Sequence, residues 1–205
     1  MNTFFEIMSL SFTLFLLMDS LGNIPLFISI LKDFDPKAQK KIICRELCIA
    51  LVTIISFHFF GKVLMDLIAV KQETVLIAGG IILFLIAINM VFPSVPSEKE
   101  SRSICTKNPL IVPLAIPLVA GPAVLAAVMI YSEQETQFVA ISSIVIAWLA
   151  SVFVLTGATY LKKILGDKGL LACEKLMGLL LTLIAIQMCL EGITLYASTL
   201  KEVLK

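Results

Sequence analysis

Apolar residues run along the chain in six long stretches, Ile7–Leu31, Ile42–Ile68, Thr74–Phe92, Pro109–Tyr131, Phe138–Leu161 and Leu170–Leu195, each followed by a more polar segment. A bilayer hydrocarbon core of about 30 Å takes around 20 mostly apolar residues in a helix, and each stretch reaches about that length. The pattern predicts an all-α polytopic membrane protein with six transmembrane helices. Short loops and a ten-residue tail are what remains, so whatever the chain does is expected to happen inside the bilayer.

Two stretches are interrupted at their centres. Asp19 is the thirteenth of the 25 residues from Ile7 to Leu31, inside "LMDSLGNIPLF". Gly121 is the thirteenth of the 23 residues from Pro109 to Tyr131, inside "AIPLVAGPAVL". Pro25 lacks an N–H and pushes Ile24 out of the α region, while Gly22 accepts almost any backbone angle. Asn23 is a favoured N-cap and Pro25 suits a first helical turn. The first span is therefore expected as one half-helix ending near Leu21 and a second starting near Asn23. Ala120, Gly121 and Pro122 predict the same of the fourth span, where Pro113 and Pro117 loosen the preceding turns.

Unpaired backbone groups cost several kcal/mol each in lipid, so such breaks survive only against protein or a wet cavity. The two breaks are expected to face each other across one cavity. New helix N-termini there would favour a carboxylate, and the carbonyls ending the preceding half-helices would favour a cation. A zwitterion fits both. A carboxylate at a helix centre costs roughly 2.5–3.5 kcal/mol on the insertion scale, which marks Asp19 as a proton or ion site or a counter-charge to a substrate amine. Asp19 can equally cap the N–H groups of a half-helix, and the two roles are compatible.

The chain also repeats. Shifted by 98 residues, "GIILFLIAINM" (Gly80–Met90) lies on "GLLLTLIAIQM" (Gly178–Met188) with seven identities in eleven positions and Asn89 opposite Gln187. The same offset, slipped by one, sets Pro25 opposite Pro122. Each copy holds three spans, an odd number, so the second copy enters the membrane from the opposite side. The expected organisation is a single membrane domain, 1–205, with a first three-helix repeat (1–96), a cytoplasmic linker (97–108) and a second, inverted three-helix repeat (109–195). Many secondary transporters use inverted repeats for alternating access. A non-transporting membrane subunit that assembles through its small-residue faces is the alternative.

Composition and charge refine this picture. Apolar residues make up 59% and charged residues 15% of the chain, against about 25% charged in soluble domains. The start, "MNTFFEIM", carries no Lys or Arg before the apolar run, so the first span is expected to be retained rather than cleaved. Twelve of the sixteen Lys and Arg residues fall in the loops after the first, third and fifth spans or beside them, and four elsewhere. The positive-inside rule then puts those loops in the cytoplasm and both termini outside the inner (cytoplasmic) membrane. The five cysteines form no CxxC pair or zinc spacing, and no metal site is expected. No P-loop, H-E-x-x-H or G-x-S-x-G motif is present, so neither ATP-driven chemistry nor an intramembrane enzyme is expected.

Asp19, Gly22, Asn23 and Pro25 resemble the first motif of the MarC family, close to D-P-x-G-N-x-P, and Ala120, Gly121 and Pro122 its second, close to A-G-P-G. The family belongs with the LysE-like transporters, and the resemblance covers essentially the whole chain. It implies six spans in two inverted halves, with substrate bound at the two unwound segments, that is at Asp19, Gly22, Asn23, Ile24, Pro25, Ala120, Gly121 and Pro122. Family members with an assigned activity move small neutral amino acids such as glycine and alanine. Two positions depart from the pattern: Ser20 stands where a proline usually follows the Asp, and Ala123 where a glycine usually follows Gly-Pro.

Further cavity residues are expected at Asn89, Gln187 and Ser20, although interhelical hydrogen bonding explains the two amides equally well. His58 is expected to pack, Lys62, Asp66 and Glu191 to sit at interfaces, and Gly79, Gly80, Gly157 and Gly178 to allow close helix approach. The resulting expectation is an ion-gradient-coupled secondary transporter with no cofactor, using a proton or sodium ion. Its partners would be a small solute, the lipid bilayer and a second copy of itself as a homo-oligomer, with no nucleic acid.

Overall fold

The computed structural model describes residues 3–31, 34–92 and 119–203, and among these every regular element is helical. In chain order the helices are α1 (Thr3–Leu17), α2 (Ile24–Leu31), α3 (Pro36–Leu67), α4 (Gln72–Val91), α5 (Pro122–Gln134), α6 (Gln137–Thr156) and α7 (Ala158–Val203). Segments within α3, α4, α6 and α7, namely Lys37–Leu67, Gln72–Val91, Gln137–Thr156 and Lys168–Lys201, are long and apolar enough to cross a membrane. They correspond to the second, third, fifth and sixth expected spans. The first is two helices, α1 and α2. Of the fourth, α5 is the latter half, while Pro113 and Pro117 lie outside the described residues, as do Cys105 and the 97–108 linker.

Local sequence explains the helix ends. Pro36 opens the first turn of α3 after Asp35, where its missing N–H is not needed. Thr136 caps α6 by accepting the Val139 N–H at 3.5 Å. Gly166, at φ 66° and ψ 179°, divides α7 into two helices at a conformation that a side chain would oppose. At the end of α3 the Val70 N–H bonds the Met65 carbonyl at 3.0 Å and the Ala69 N–H bonds that of Asp66 at 3.2 Å. This double closure is a Schellman motif, and its left-handed position, normally glycine, holds Ala69 at φ 53°.

Helices α4 and α7 form the closest pair. A Cβ on Gly80 would fall 2.8 Å from the Ala185 carbonyl oxygen, one on Gly178 3.0 Å from that of Ala87, and one on Gly192 2.9 Å from that of Glu73. Ascending positions on α4 thus meet descending positions on α7, so the two run antiparallel along a seam of small residues. Gly79 approaches α5 instead, where a Cβ would touch the Ala126 methyl at 3.0 Å. Among the described residues Gly157 meets no neighbouring helix; it is the C-cap of α6, and its N–H bonds the Phe153 carbonyl at 3.1 Å.

The other principal contacts also join distant parts of the chain: α1 with α6, α3 with both α5 and α6, and α4 with α5. Polar side chains fix two of them. Ser143 donates to the Ile7 carbonyl at 3.2 Å, and Ser151 lies 3.3 Å from the Met18 sulfur, so α1 and α6 run parallel. Trp148 donates to the Leu47 carbonyl at 2.8 Å, and His58 meets Gln137 at 2.7 Å, so α3 and α6 run antiparallel.

Two stability measurements check this packing. Gly80→Val forces its methyl groups against the α7 backbone and is expected to destabilise the purified chain by about 1–3 kcal/mol, the usual range for overpacking. Ala69→Gly relieves a left-handed alanine and is expected to stabilise it by about 1 kcal/mol. Unfolding of each variant in detergent measures both.

Candidate functional site

The break between α1 and α2 is built around Asp19. Its backbone is left-handed, at φ 46°, a region that Asp and Asn tolerate better than other residues with side chains. The Asp19 N–H makes a tight bond to the Leu16 carbonyl at 2.9 Å and ends α1. Its carbonyl then accepts the Asn23 N–H at 3.0 Å, and Oδ1 accepts the Gly22 N–H at 3.3 Å. The carboxylate therefore caps the turn that leads into α2, as an Asp at a helix start does. Because Asp19 takes the left-handed conformation, α1 ends at Leu17 rather than near Leu21 as the proline alone suggests, and the irregular segment covers 18–23.

Each neighbour completes this turn. Asn23 sends its amide back to the Met18 carbonyl at 3.5 Å, covering an acceptor left by the end of α1. A Cβ on Gly22 would lie 2.6 Å from both Asp19 carboxylate oxygens and run into the Met90 methyl of α4, so only glycine fits. Asp19, Ser20, Asn23 and Ile24 are all buried. Ser20 is wholly so, and its hydroxyl has no hydrogen-bond partner among the described residues. Pro25 reaches the edge of a hollow of about 290 Å³, lined also by Ile28, Lys162, Leu170, Leu171 and Glu174. This hollow lies where α2 meets the first part of α7.

The second motif has a different setting. Gly121 is the N-cap of α5, with extended backbone (φ −68°, ψ 167°) and no side-chain cap among the described residues, and its carbonyl accepts the Leu125 N–H at 3.1 Å. Ala120 is buried in the same apolar cluster as Met18 and Ile24. Pro122, however, lines an apolar hollow of about 300 Å³ with Phe57, Val75, Gly79, Leu125 and Met129. Among the described residues the two motifs share a core, while the hollows beside Pro25 and Pro122 have different linings. The cause is packing: α2 leans on α7, whereas the head of α5 is wedged between α3 and α4.

Asn89 and Gln187 line neither the Pro25 nor the Pro122 hollow. Both are exposed, and Gln187 donates to Glu191 on its own helix at 2.7 Å. Each lies two positions beyond a seam alanine, Ala87 or Ala185, and two residues turn a helix by about 200°, to the opposite face. Met90, Lys162 and Glu174 were not marked by sequence reasoning, since a methionine in an apolar run and two charges in a basic loop region carry no signal of their own. Among the described residues no cluster of three His, Cys, Asp or Glu side chains is placed to hold a metal ion.

The cap and the charge of Asp19 are separable by mutation. Asp19→Ala removes the acceptor and is expected to cost about 0.5–2 kcal/mol of stability. Asp19→Asn keeps an acceptor and a residue that tolerates the left-handed region, so it is expected to stay within a few tenths of a kcal/mol of the native chain. Parallel unfolding curves of the two variants test this, and equal losses would contradict the capping role.

Comparison with known proteins finds relatives that match the chain over nearly its whole length. The chain is 46% identical over 191 residues to a UPF0056 membrane protein of Buchnera aphidicola, covering 92% of this chain and 96% of the relative. It is 44% identical over 193 residues to the UPF0056 inner membrane protein YhgN of Escherichia coli, covering 93% and 98%. A Chlamydia pneumoniae UPF0056 membrane protein is 34% identical over 191 residues, covering 92% and 94%. No solved structure matches. The model of the MarC family integral membrane proteins matches residues 4–196, and the chain is an integral membrane protein that belongs to that family.

Proposed function

We propose that the chain is a secondary transporter of small neutral amino acids or similar small solutes, coupled to an ion gradient. The observation that carries this reading is the break at 18–23, where a buried carboxylate is held by its own backbone inside an otherwise apolar stretch. A carboxylate in such a place is costly, and in membrane proteins it marks ion and substrate paths. The adjacent hollow of about 290 Å³ falls at the lower limit of ordinary ligand pockets, which suits a small solute. Lys162 and Glu174 bring both signs of charge to its lining, so each end of a zwitterion meets a partner. The buried acid at Asp19 is the group that would carry a proton or face a sodium ion.

The packing supports movement of two inverted halves, 1–96 and 109–195. Exchanging the halves turns the α2–α7 contact into α5–α4, while α4–α7 and α3–α6 map onto themselves. Such a pattern suits rocking of one repeat against the other around a fixed site. Lys37, Lys40, Lys41 and Arg45 at the start of α3 and Lys162, Lys163, Lys168 and Lys175 in α7 would then lie in the cytoplasm, with both termini outside. No enzymatic step enters this reading.

Uptake of radiolabelled glycine and alanine into proteoliposomes, under imposed proton or sodium gradients, is the test. The native chain is expected to accumulate solute under one of the gradients. Asp19→Asn, which keeps the cap, is expected to lower the rate on the order of tenfold, equivalent to about 1.4 kcal/mol. Absence of uptake by well-folded native protein, or undiminished uptake by Asp19→Asn, contradicts the proposal.

A further inference from the structure

A second hollow lies on the other side of the break, towards the end of the bundle where α1 begins and α5 finishes. It is small, about 50 Å³, and α1, α4, α5 and α7 all contribute to its lining. Thr13 and Leu17 on α1, Ala127 and Tyr131 on α5, and Ile184 and Met188 on α7 line it as pairs four residues apart, the spacing that puts two side chains on one helix face. Three residues further along α5 and α7 come Gln134 and Glu191, which are exposed and form the rim. Leu17, the last residue of α1, lies at the opposite, inner end beside the irregular segment 18–23. Along α7, ten residues separate Ile184 from Glu174 on the lining of the Pro25 hollow, or about 15 Å of helix.

The break is therefore flanked by two unequal hollows, about 290 Å³ beside Pro25 and about 50 Å³ beside Leu17. Ordinary ligand pockets hold about 300–1,000 Å³, so the smaller one has room for a few water molecules and none for a solute. Tyr131 is the largest side chain on its lining, partly buried and packed against the core between the inner end and the rim. At the same end of the bundle Lys62 on α3 and Glu133, two residues past Tyr131, are joined at 3.1 Å and border a hollow with His58. That ion pair is partly exposed and holds α5 only weakly.

The sequence sets an aromatic at the matching place in the other half. Tyr131 comes nine residues after Pro122, and Phe34 nine residues after Pro25. Both rings are partly buried against the core. Their settings differ, because α2 ends at Leu31 and Phe34 occupies the turn beyond it, its N–H on the Leu31 carbonyl at 3.1 Å. Tyr131 borders the narrow hollow, whereas Phe34 is absent from the lining of the wide one.

We infer that Tyr131 is a gate that closes the path between the break and the end of the bundle where α1 begins, and that Phe34 is its counterpart towards the opposite end. The structure then shows one gate shut and the other withdrawn. Passage from the break to the rim of Gln134 and Glu191 requires the Tyr131 ring to leave the hollow, which a shift of α5 against α1 and α7 provides. The gating role rests on the transport reading above, whereas the narrow hollow and the ring beside it rest on their own geometry.

The test uses the full chain with its native cysteines replaced, in sealed vesicles of each orientation. Leu17→Cys reports on the inner end of the narrow hollow and Leu14→Cys on the core. With Tyr131 in place, Leu17→Cys is expected to react slowly with a membrane-impermeant thiol reagent from either side. Tyr131→Ala is expected to speed that reaction on the order of tenfold, from the side where α1 begins only, as a tenfold rise in the open population would. Tyr131→Phe is expected to keep the slow rate, since the ring and not the hydroxyl closes the hollow, and Phe34→Ala is expected not to raise the rate from that side. An unchanged rate in Tyr131→Ala, equal acceleration from both sides, or equal acceleration of Leu14→Cys, the mark of a loosened bundle, overturns the gate. If Tyr131→Ala changes nothing while the native chain takes up glycine, the gate fails and the transport reading stands. If Tyr131→Ala opens the hollow as expected but the native chain takes up no solute, the closure stands and the transport reading fails.

Discussion

The carboxylate of Asp19 and the backbone beneath it hold the break in place. The left-handed φ stops α1, the carbonyl and Oδ1 accept the two N–H groups that start the next turn, and Gly22 leaves room for the carboxylate to do so. Without that arrangement the polypeptide would have to leave several peptide groups unpaired among apolar neighbours, at several kcal/mol each in lipid. Pro25 alone does not explain the break. A proline disturbs the helix around itself, whereas α1 has already ended at Leu17.

What surrounds the break keeps it from closing into a continuous helix. Ser143 and Ser151 of α6 grip α1 through the Ile7 carbonyl and the Met18 sulfur. Met90 presses against Gly22 from α4, whose position is set by the glycine and alanine seam with α7. Since the principal contacts join helices distant in sequence, a shift of one half must change the packing of the other. The Lys62–Glu133 pair at one end and the Pro25 hollow at the opposite end are the places where such a shift meets polar groups.

Much of this was legible in the sequence because membrane helices announce themselves by length and apolar content. The helices at the second, third, fifth and sixth apolar stretches and the interruption near Asn23 followed from those rules. The small-residue seam was partly visible, through Gly80 and Gly178. The rotation of Asn89 and Gln187 away from the interior was not, since nearly every neighbour of theirs is apolar and periodicity cannot choose a face. His58 was expected to pack, and it is buried, but its nearness to Lys62 and Glu133 needs α5 and α6 in place. The separation of the Pro25 and Pro122 hollows also depends on tertiary packing: matching motifs predict matching breaks and say nothing about which neighbours each one meets.

The central claim, that the break beside α2 is reached by a small solute from water, is tested most directly at Ile28, which lines the Pro25 hollow. In a chain whose native cysteines have been replaced, Ile28→Cys is treated with a water-soluble, membrane-impermeant thiol reagent in open membranes, beside a core control, Leu14→Cys. Ile28→Cys is expected to react much faster than the control, and glycine or alanine to slow the reaction only while Asp19 is intact. Reaction no faster than the control, or a rate that no small amino acid changes, would contradict the claim.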